Sequence, residues 1–404
     1  MSRILLVSHE LSVTGAPNSL LRHAKYMREA GHDVHVWTYR DGPLRSRYEE
    51  AGFAPRVVRD SRAEIKSAAD LAEPYDFTLC NTVRSYRAAD VLQRRGTPCV
   101  WFVRETLVLD EDYWMNPDFA RVFRNFGNLY TVSDYNAEVV RVYNPNVRVI
   151  CNAVPDVFRG FSAPSDHVRF GYIGSYIASK GVDLLLDAFA RLRSIRPSVE
   201  LVLAGEPWTD WGRALREKNA RAPGVSWLGE VQGEAKERFF DSVDVLCVPS
   251  LDEPSGLVVL EGAMHGKAVI TTDRTGAAYA VDDSCGRVVE AGSVDALVAA
   301  MEALSDPKEV SDMGHRARES YLRCGTPELE RAAVLKMLDD NLGRPPVVKG
   351  AMGRDSTPFF HETRSMTGRR RFYLGGLKVF SVMGTGVRKR GKEPWHGGHR
   401  FKDS

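Results

Sequence analysis

Val168-Arg169-Phe170-Gly171-Tyr172-Ile173-Gly174 opens the second half of the chain. It is an apolar run the length of one strand, closed by a glycine. A polar stretch, residues 175–181, follows it. After that, Leu184, Leu185, Ala188, Phe189 and Leu192 fall on one helical face, which predicts a helix over 182–193. The chain begins with the same grammar. Arg3-Ile4-Leu5-Leu6-Val7-Ser8 reads as a strand buried on both faces, followed by a loop through Thr14-Gly15-Ala16. A helix is expected to start near Pro17, carry Leu20, Leu21, Ala24 and Met27 on its apolar face, and stop at Gly31.

Between and after these openings, strands are expected at 33–38, 77–80, 99–103, 129–132 and 147–151. In the second half they are expected at 200–204, 225–228, 243–249, 268–272 and 286–289. Helical stretches separate most of them. That alternation implies parallel sheets with helices on both faces, and its restart implies two Rossmann-like doubly wound domains. The segment 156–166, after Pro155 and containing Pro164, reads as the linker.

Bulk properties agree with this reading. The 404 residues fit two or three domains at roughly 150 residues each. Hydrophobic residues at 43% and charged residues at 27% exclude pervasive disorder. Cys80, Cys99, Cys151, Cys247, Cys285 and Cys324 form no C-x-x-C pair, so neither a zinc site nor a redox motif is expected. No metal and no cofactor are expected. The opening Met1-Ser2-Arg3-Ile4 has no signal-peptide pattern, and no apolar run approaches the ~20 residues that span a bilayer. A cytoplasmic protein is the expectation.

The densest chemistry lies in Asp252-Glu253-Pro254-Ser255-Gly256-Leu257-Val258-Val259-Leu260-Glu261-Gly262-Ala263. It is read as a loop running into a helix over 257–266. Gly256 at the junction allows backbone N–H groups to approach an anion, and the helix N-terminus adds its positive dipole end. Glu261 lies one turn inside, and helical side chains tilt back toward the N-terminus. Glu253 faces the same pocket from the loop.

This stretch resembles the E-x7-E motif of retaining glycosyltransferases of the GT-B fold, especially family four. The resemblance covers most of residues 1–340, in order. Thr14-Gly15-Ala16 is similar to the family's glycine-rich first loop and Asn152-Ala153-Val154 to its N-G-V. Gly174 with Lys180-Gly181 resembles its G…K-G element. Ala204-Gly205-Glu206, Leu228-Gly229-Glu230 and Pro249-Ser250 also fall where the family has them.

The resemblance implies two domains facing a cleft. Residues 1–155 would form the acceptor side and 156–325 the nucleotide-sugar side, with a helical return at 326–344 and a basic tail at 345–404. It implies transfer of a hexosyl group, with retention and without metal, from a UDP- or GDP-sugar to a glycan or lipid-linked hydroxyl. Lys180 and Glu253 would be catalytic. Lys180 would neutralise the leaving diphosphate, and Glu253 would hold hydroxyls of the transferred sugar. Gly15, Ala16, Gly174, Ser255, Gly256 and Leu257 would line the donor, and Glu261 would bind its ribose.

Two features depart from the family. No basic residue precedes Lys180 in Ser175-Tyr176-Ile177-Ala178-Ser179, and Arg104-Glu105 stands where many members have His-Glu. Arginine cannot accept a proton, so Arg104 is expected to bind an anionic acceptor or to orient Glu105. His9, Asn81 and Arg84 also follow strands, where ligands of open sheets bind, and complete the acceptor-side candidates.

Residues 347–404 carry thirteen Lys/Arg against four Asp/Glu, a charge of +9 in a chain of net +2. Arg371-Phe372-Tyr373-Leu374 and Leu377-Lys378-Val379-Phe380 around Gly375-Gly376 predict a hairpin. The run 369–376 also resembles the end region of some polysaccharide and lipopolysaccharide glycosyltransferases. An anionic membrane surface is a candidate partner for this tail, and nucleic acid is not expected.

Competing functions are separable. The first loop lacks G-x-G-x-x-G, which argues against a dinucleotide oxidoreductase. A sugar-nucleotide epimerase or phosphorylase shares the fold. Lys180, Glu253 and Glu261 together argue against a non-catalytic glycan-binding protein.

Overall fold

The computed structural model describes residues 1–161 and 166–344, together with the backbone of four strands between 360 and 400. The chain divides into two compact units, residues 1–150 with 331–404, and residues 151–330.

The first unit holds seven strands: β1 (Arg3–Ser8), β2 (Asp33–Thr38), β3 (Arg56–Val57), β4 (Phe77–Asn81), β5 (Cys99–Phe102), β6 (Leu129–Thr131) and β7 (Val147–Val149). They are all parallel, in the order β3-β2-β1-β4-β5-β6-β7. β1 shows why an unbroken apolar run suits this position. Side chains alternate faces, so Leu5 and Val7 enter one core with Trp101 and Phe123. Ile4 and Leu6 enter the opposite core with Leu20, Met27 and Phe102. Burying each such side chain fully stabilises by about 1.5–3 kcal/mol.

The second unit contains β8 (Arg169–Ile173), β9 (Glu200–Ala204), β10 (Val225–Gly229), β11 (Val245–Val248), β12 (Ala268–Thr272) and β13 (Gly286–Val289). The order is β10-β9-β8-β11-β12-β13, again parallel. Val245 and Cys247 of β11 face one core, Leu246 and Val248 the other. In each sheet the strand order reverses beside the opening strand, between β1 and β4 and between β8 and β11. Ligands of doubly wound sheets bind beyond the strand ends at such a point.

Several expected boundaries move. The division falls after Ile150 rather than residue 155. The described part of the expected linker packs on the second unit. Asp156 pairs with Arg318, and Phe161 lies against the His315 ring at 3.6 Å. Pro164 falls outside the described residues. The first helix spans Gly15–Glu29, so Gly15 and Ala16 belong to its first turn and not to a loop. Pro17 is tolerated there because first-turn N–H groups have no intrahelical acceptor. The two-residue β3 was not expected. It is an edge strand too short to leave a pattern.

The helix Pro327–Asn341 spans the second boundary. Its Val334, Met337 and Leu338 enter the first unit's core with Ile4 and Leu20. Beyond it, β14 (Phe360–Arg364), β15 (Arg369–Leu374), β16 (Leu377–Met383) and β17 (His399–Arg400) form an antiparallel sheet, order β16-β15-β14-β17. β15 and β16 pair with Leu374 opposite Leu377, while Gly375-Gly376 and most of the tail lie outside the described residues.

Candidate functional site

The second unit builds its site from the loops that leave β8 and β11. After β8 the chain runs through Gly174 to a 3-10 turn, Ala178–Lys180, and Gly181. Gly181 has φ +67°, and a Cβ there would sit 2.1 Å from the Pro249 carbonyl oxygen, so only glycine lets the two loops close up. Leu251 N–H donates to the Ser179 carbonyl at 2.8 Å and joins them further. This close approach brings Lys180 Nζ onto Glu253 Oε2 as an ion pair.

Glu253 is held on all sides. Its backbone N–H donates to Arg274 O at 2.9 Å, and its carbonyl accepts from Gly276 N–H at 2.7 Å. Its Oε1 accepts from the Gly256 N–H at 3.1 Å and the Ser255 N–H at 3.4 Å. Burial pushes its pKa up, but Lys180 and these N–H donors outweigh that and hold the carboxyl below its ordinary range. The Gly256 N–H, expected to meet a donor phosphate, thus has a carboxylate partner from its own loop. In this structure the Glu253 carboxylate takes that N–H, because the tight turn folds the acid back over its own loop.

Gly256, at φ +72°, caps the helix Leu257–Met264, and a Cβ there would strike Thr275 Cγ2 at 2.5 Å. Glu261 lies one turn inside, as expected, and accepts from Lys236 Nζ at 2.7 Å. Lys236 stands on the helix Glu234–Asp241, and no motif pointed to it. Asn152 Nδ2 donates to Ser255 Oγ at 2.8 Å and so ties the Asn152-Ala153-Val154 element to the same loop. One end of the sheet thus gathers Lys180, Glu253, Ser255, Gly256, Lys236 and Glu261. Two ammonium groups and a helix N-terminus face two carboxylates there, a set suited to an anionic, hydroxyl-bearing ligand. Gly174 begins the same loop, and its carbonyl oxygen would lie 1.9 Å from a Cβ on Gly205.

In the first unit the corresponding loops follow β1, β4 and β5. Asn81, fully buried at the end of β4, is a bridge. Its Nδ2 donates to Ala16 O at 3.1 Å and its Oδ1 accepts from Arg104 Nε at 2.6 Å. Arg104 is buried and lies over the Phe102 ring, with its Nε donating to Asn81. Glu105 Oε2 accepts from the backbone N–H groups of Arg104 at 2.9 Å and Val83 at 3.1 Å. Burial drives the Glu105 carboxyl up to about 7, and these donors only partly oppose it. Arg84 is paired with Asp112 and more than half exposed.

His9 follows β1, and its Nδ1 lies 3.0 Å from Thr82 Oγ1. Burial lowers the His9 pKa, with Glu10 opposing and Arg40 and Arg84 reinforcing the shift, which favours a neutral ring. Thr82 has φ 72° and ψ 159°, a region that is essentially glycine's. Such strain costs on the order of 1–3 kcal/mol. It persists because Thr82 N–H donates to Phe102 O at 2.8 Å while its carbonyl accepts from Trp101 Nε1 at 2.7 Å.

The comparisons with known proteins bear on both units. Residues 1–134 match the glycosyl-transferase family 4 model, and residues 167–306 match that of group 1 glycosyl transferases. The chain is 32% identical over 391 residues to the MMP alpha-(1->4)-mannosyltransferase of Mycolicibacterium hassiacum, covering 78% of this chain and 92% of the relative. It belongs to the family 4 glycosyltransferases. A phosphatidyl-myo-inositol mannosyltransferase of Mycolicibacterium smegmatis is 31% identical over 190 residues, 44% of this chain and 47% of that protein, so this match spans about half the relative.

Among solved structures, Anabaena HepE with UDP and glucose superposes with a TM-score of 0.72 at 18% identity, covering 84% of this chain and all of that one. The sucrose-phosphate synthase of Thermosynechococcus elongatus gives 0.67, also at 18%, covering 84% of this chain and 99% of that one. These neighbours establish the GT-B fold of the glycosyltransferase. Among its described residues, no helix is long and apolar enough to cross a membrane.

Proposed function

We propose that the glycosyltransferase moves a hexosyl group from a nucleoside-diphosphate sugar to a glycan or lipid-linked hydroxyl, with retention at the anomeric carbon and without metal. The observation that carries this reading is the Lys180–Glu253 pair set against the Ser255–Gly256 backbone where β8 and β11 diverge. A diphosphate entering there meets the Lys180 ammonium and the amino end of Leu257–Met264, which stabilise charge building on the leaving phosphate. Displaced from those N–H groups, Glu253 is free to accept hydroxyls of the hexose. Glu261 serves the ribose. The leaving phosphate takes the acceptor proton as the acceptor attacks from the same face.

UDP- or GDP-hexose donors fit this reading; the Anabaena neighbour binds UDP and glucose. The +9 tail supports a place at the inner, anionic face of the cytoplasmic membrane. The experiment follows anomeric configuration by proton NMR while the purified protein turns over UDP- and GDP-hexoses with sugar acceptors. An α-linked product from an α-linked donor is expected. An inverted product refutes the reading.

A further inference from the structure

Thr82 is hard to explain as packing. A β-branched residue is held, 1% exposed, at a glycine-type backbone angle, at the point where the first sheet reverses its strand order. Three contacts of its backbone over-determine that angle. Its N–H donates to Phe102 O, its carbonyl accepts from Trp101 Nε1, and the same carbonyl accepts from Ser85 N–H at 3.1 Å. Glu105 fixes the next residue by accepting from Val83 N–H. What the conformation achieves is the direction of one hydroxyl, toward His9 Nδ1 at 3.0 Å.

A buried hydroxyl needs an acceptor for its hydrogen. Among the described residues, the Thr82 hydroxyl has no hydrogen-bond partner other than His9. Its hydrogen therefore goes to Nδ1, and a neutral imidazole that accepts there carries its own proton on Nε2. Nε2 lies 3.6 Å from Glu10 Oε1, beyond hydrogen-bond length, and that oxygen already accepts from Ser12 Oγ at 2.7 Å. The His9 side chain retains 18% exposure at the end of β1. The other charged groups acting on the ring are Arg40 and Arg84, which can only donate.

We infer that Thr82 is a positioning residue. It fixes His9 in the Nε2–H form, so that His9 offers a neutral donor, not a base, to an oxygen of the bound saccharide. The ligand class rests on the transferase reading above, whereas the tautomer does not.

The test uses the full-length protein with 15N-labelled histidine, the His9 signals being assigned by their loss in His9→Gln. Long-range proton–nitrogen spectra near neutral pH should show Nε2 protonated and Nδ1 not. Thr82→Val keeps the shape and removes the hydroxyl, and should abolish that preference; Thr82→Ser should restore it. Steady-state release of nucleotide from UDP-glucose or GDP-mannose should fall roughly tenfold in Thr82→Val and recover in Thr82→Ser. A wild-type ring protonated on Nδ1, or a tautomer that Thr82→Val leaves unchanged, overturns the inference. A preserved tautomer pattern without turnover of any hexose nucleotide refutes the transferase reading and leaves the positioning intact.

Discussion

Lys180, in the turn after β8, and Glu253, in the loop after β11, form an ion pair across the point where the second sheet reverses its strand order. Seventy-three residues separate them in sequence. The pair puts the two residues expected to do chemistry in direct contact and lets Glu253 occupy backbone donors that an anionic ligand would use. Under the proposed function, donor binding would exchange one anion for another. The donors and the ammonium group already stand together in the loop, which is how such a site would keep its electrostatics ready.

Removing the lysine charge tests that view first. Lys180→Met should lower turnover of the donor by roughly 100-fold or more, the usual loss when one stabilising donor is taken from a leaving oxyanion. The fold should persist, because Ser255 and Gly256 still hold the Glu253 carboxylate. Nucleotide release and a melting curve on the same sample check both statements. Near wild-type turnover would remove Lys180 from the chemistry.

The two glutamates should separate. In Glu253→Gln a neutral amide replaces the acid that competes for the Gly256 N–H, so free nucleoside diphosphate should bind at least as tightly as to wild type while turnover falls. In Glu261→Gln the ribose loses an ionised acceptor and Lys236 loses its partner, so affinity should drop about tenfold. Calorimetry with UDP and GDP gives the comparison. Equal losses of affinity in both variants would contradict the ribose and hexose assignments.

Much of this was legible in the chain itself, for definite reasons. β1 and β8 are buried on both faces, and burial of that kind leaves an unbroken apolar run. The Gly256 junction is visible because a left-handed residue before a helix needs glycine, and Lys180 with Glu253 because their neighbours form a motif. Other features leave no such mark. Thr82 is a good strand former by type, and it is held at positive φ by contacts with Phe102, Trp101 and Ser85 that its own identity does not signal. Lys236 meets Glu261 through helix packing, which spacing alone does not encode. The hydrogen bond from Arg104 Nε to Asn81, on the neighbouring strand, is likewise not encoded in the adjacent pair Arg104-Glu105.

Glu105 makes a pH prediction whose sign can be worked out. Burial raises its folded pKa from 4.5 to about 7. Between these values the folded protein keeps a proton that the unfolded chain has released. Stability must therefore fall as pH rises through that window and level off above it. Glu105→Gln has no proton to lose, so its melting temperature should fall less than that of wild type from pH 4.5 to pH 7. Parallel profiles for the two proteins would mean that Glu105 titrates as an ordinary carboxylate.

Metal independence is tested by chelation. Lys180 and the helix N-terminus can supply the positive charge that a diphosphate otherwise draws from a cation. Turnover of the hexose nucleotide should persist in excess EDTA and gain little from added Mg²⁺ or Mn²⁺. Strict dependence on either ion would show that this charge is insufficient.

The basic tail yields the last prediction. Residues 347–404 combine their +9 charge with Phe359, Phe360, Phe372, Tyr373, Leu374, Phe380 and Trp395, an apolar content that solvation alone does not require. A basic residue close to an anionic lipid surface gains on the order of 1 kcal/mol, and aromatic side chains add anchoring at the interface. The intact protein should therefore co-sediment with vesicles of mixed phosphatidylglycerol and phosphatidylcholine. It should do so less at high salt, since screening weakens attraction between exposed charges. A chain ending at Arg344 keeps the helix Pro327–Asn341 and with it the packing of Val334, Met337 and Leu338, so it should fold and bind nucleotide. It should also leave the vesicles. Equal sedimentation of the two proteins would place any membrane contact outside the tail, and loss of nucleotide binding on truncation would make the tail part of the fold.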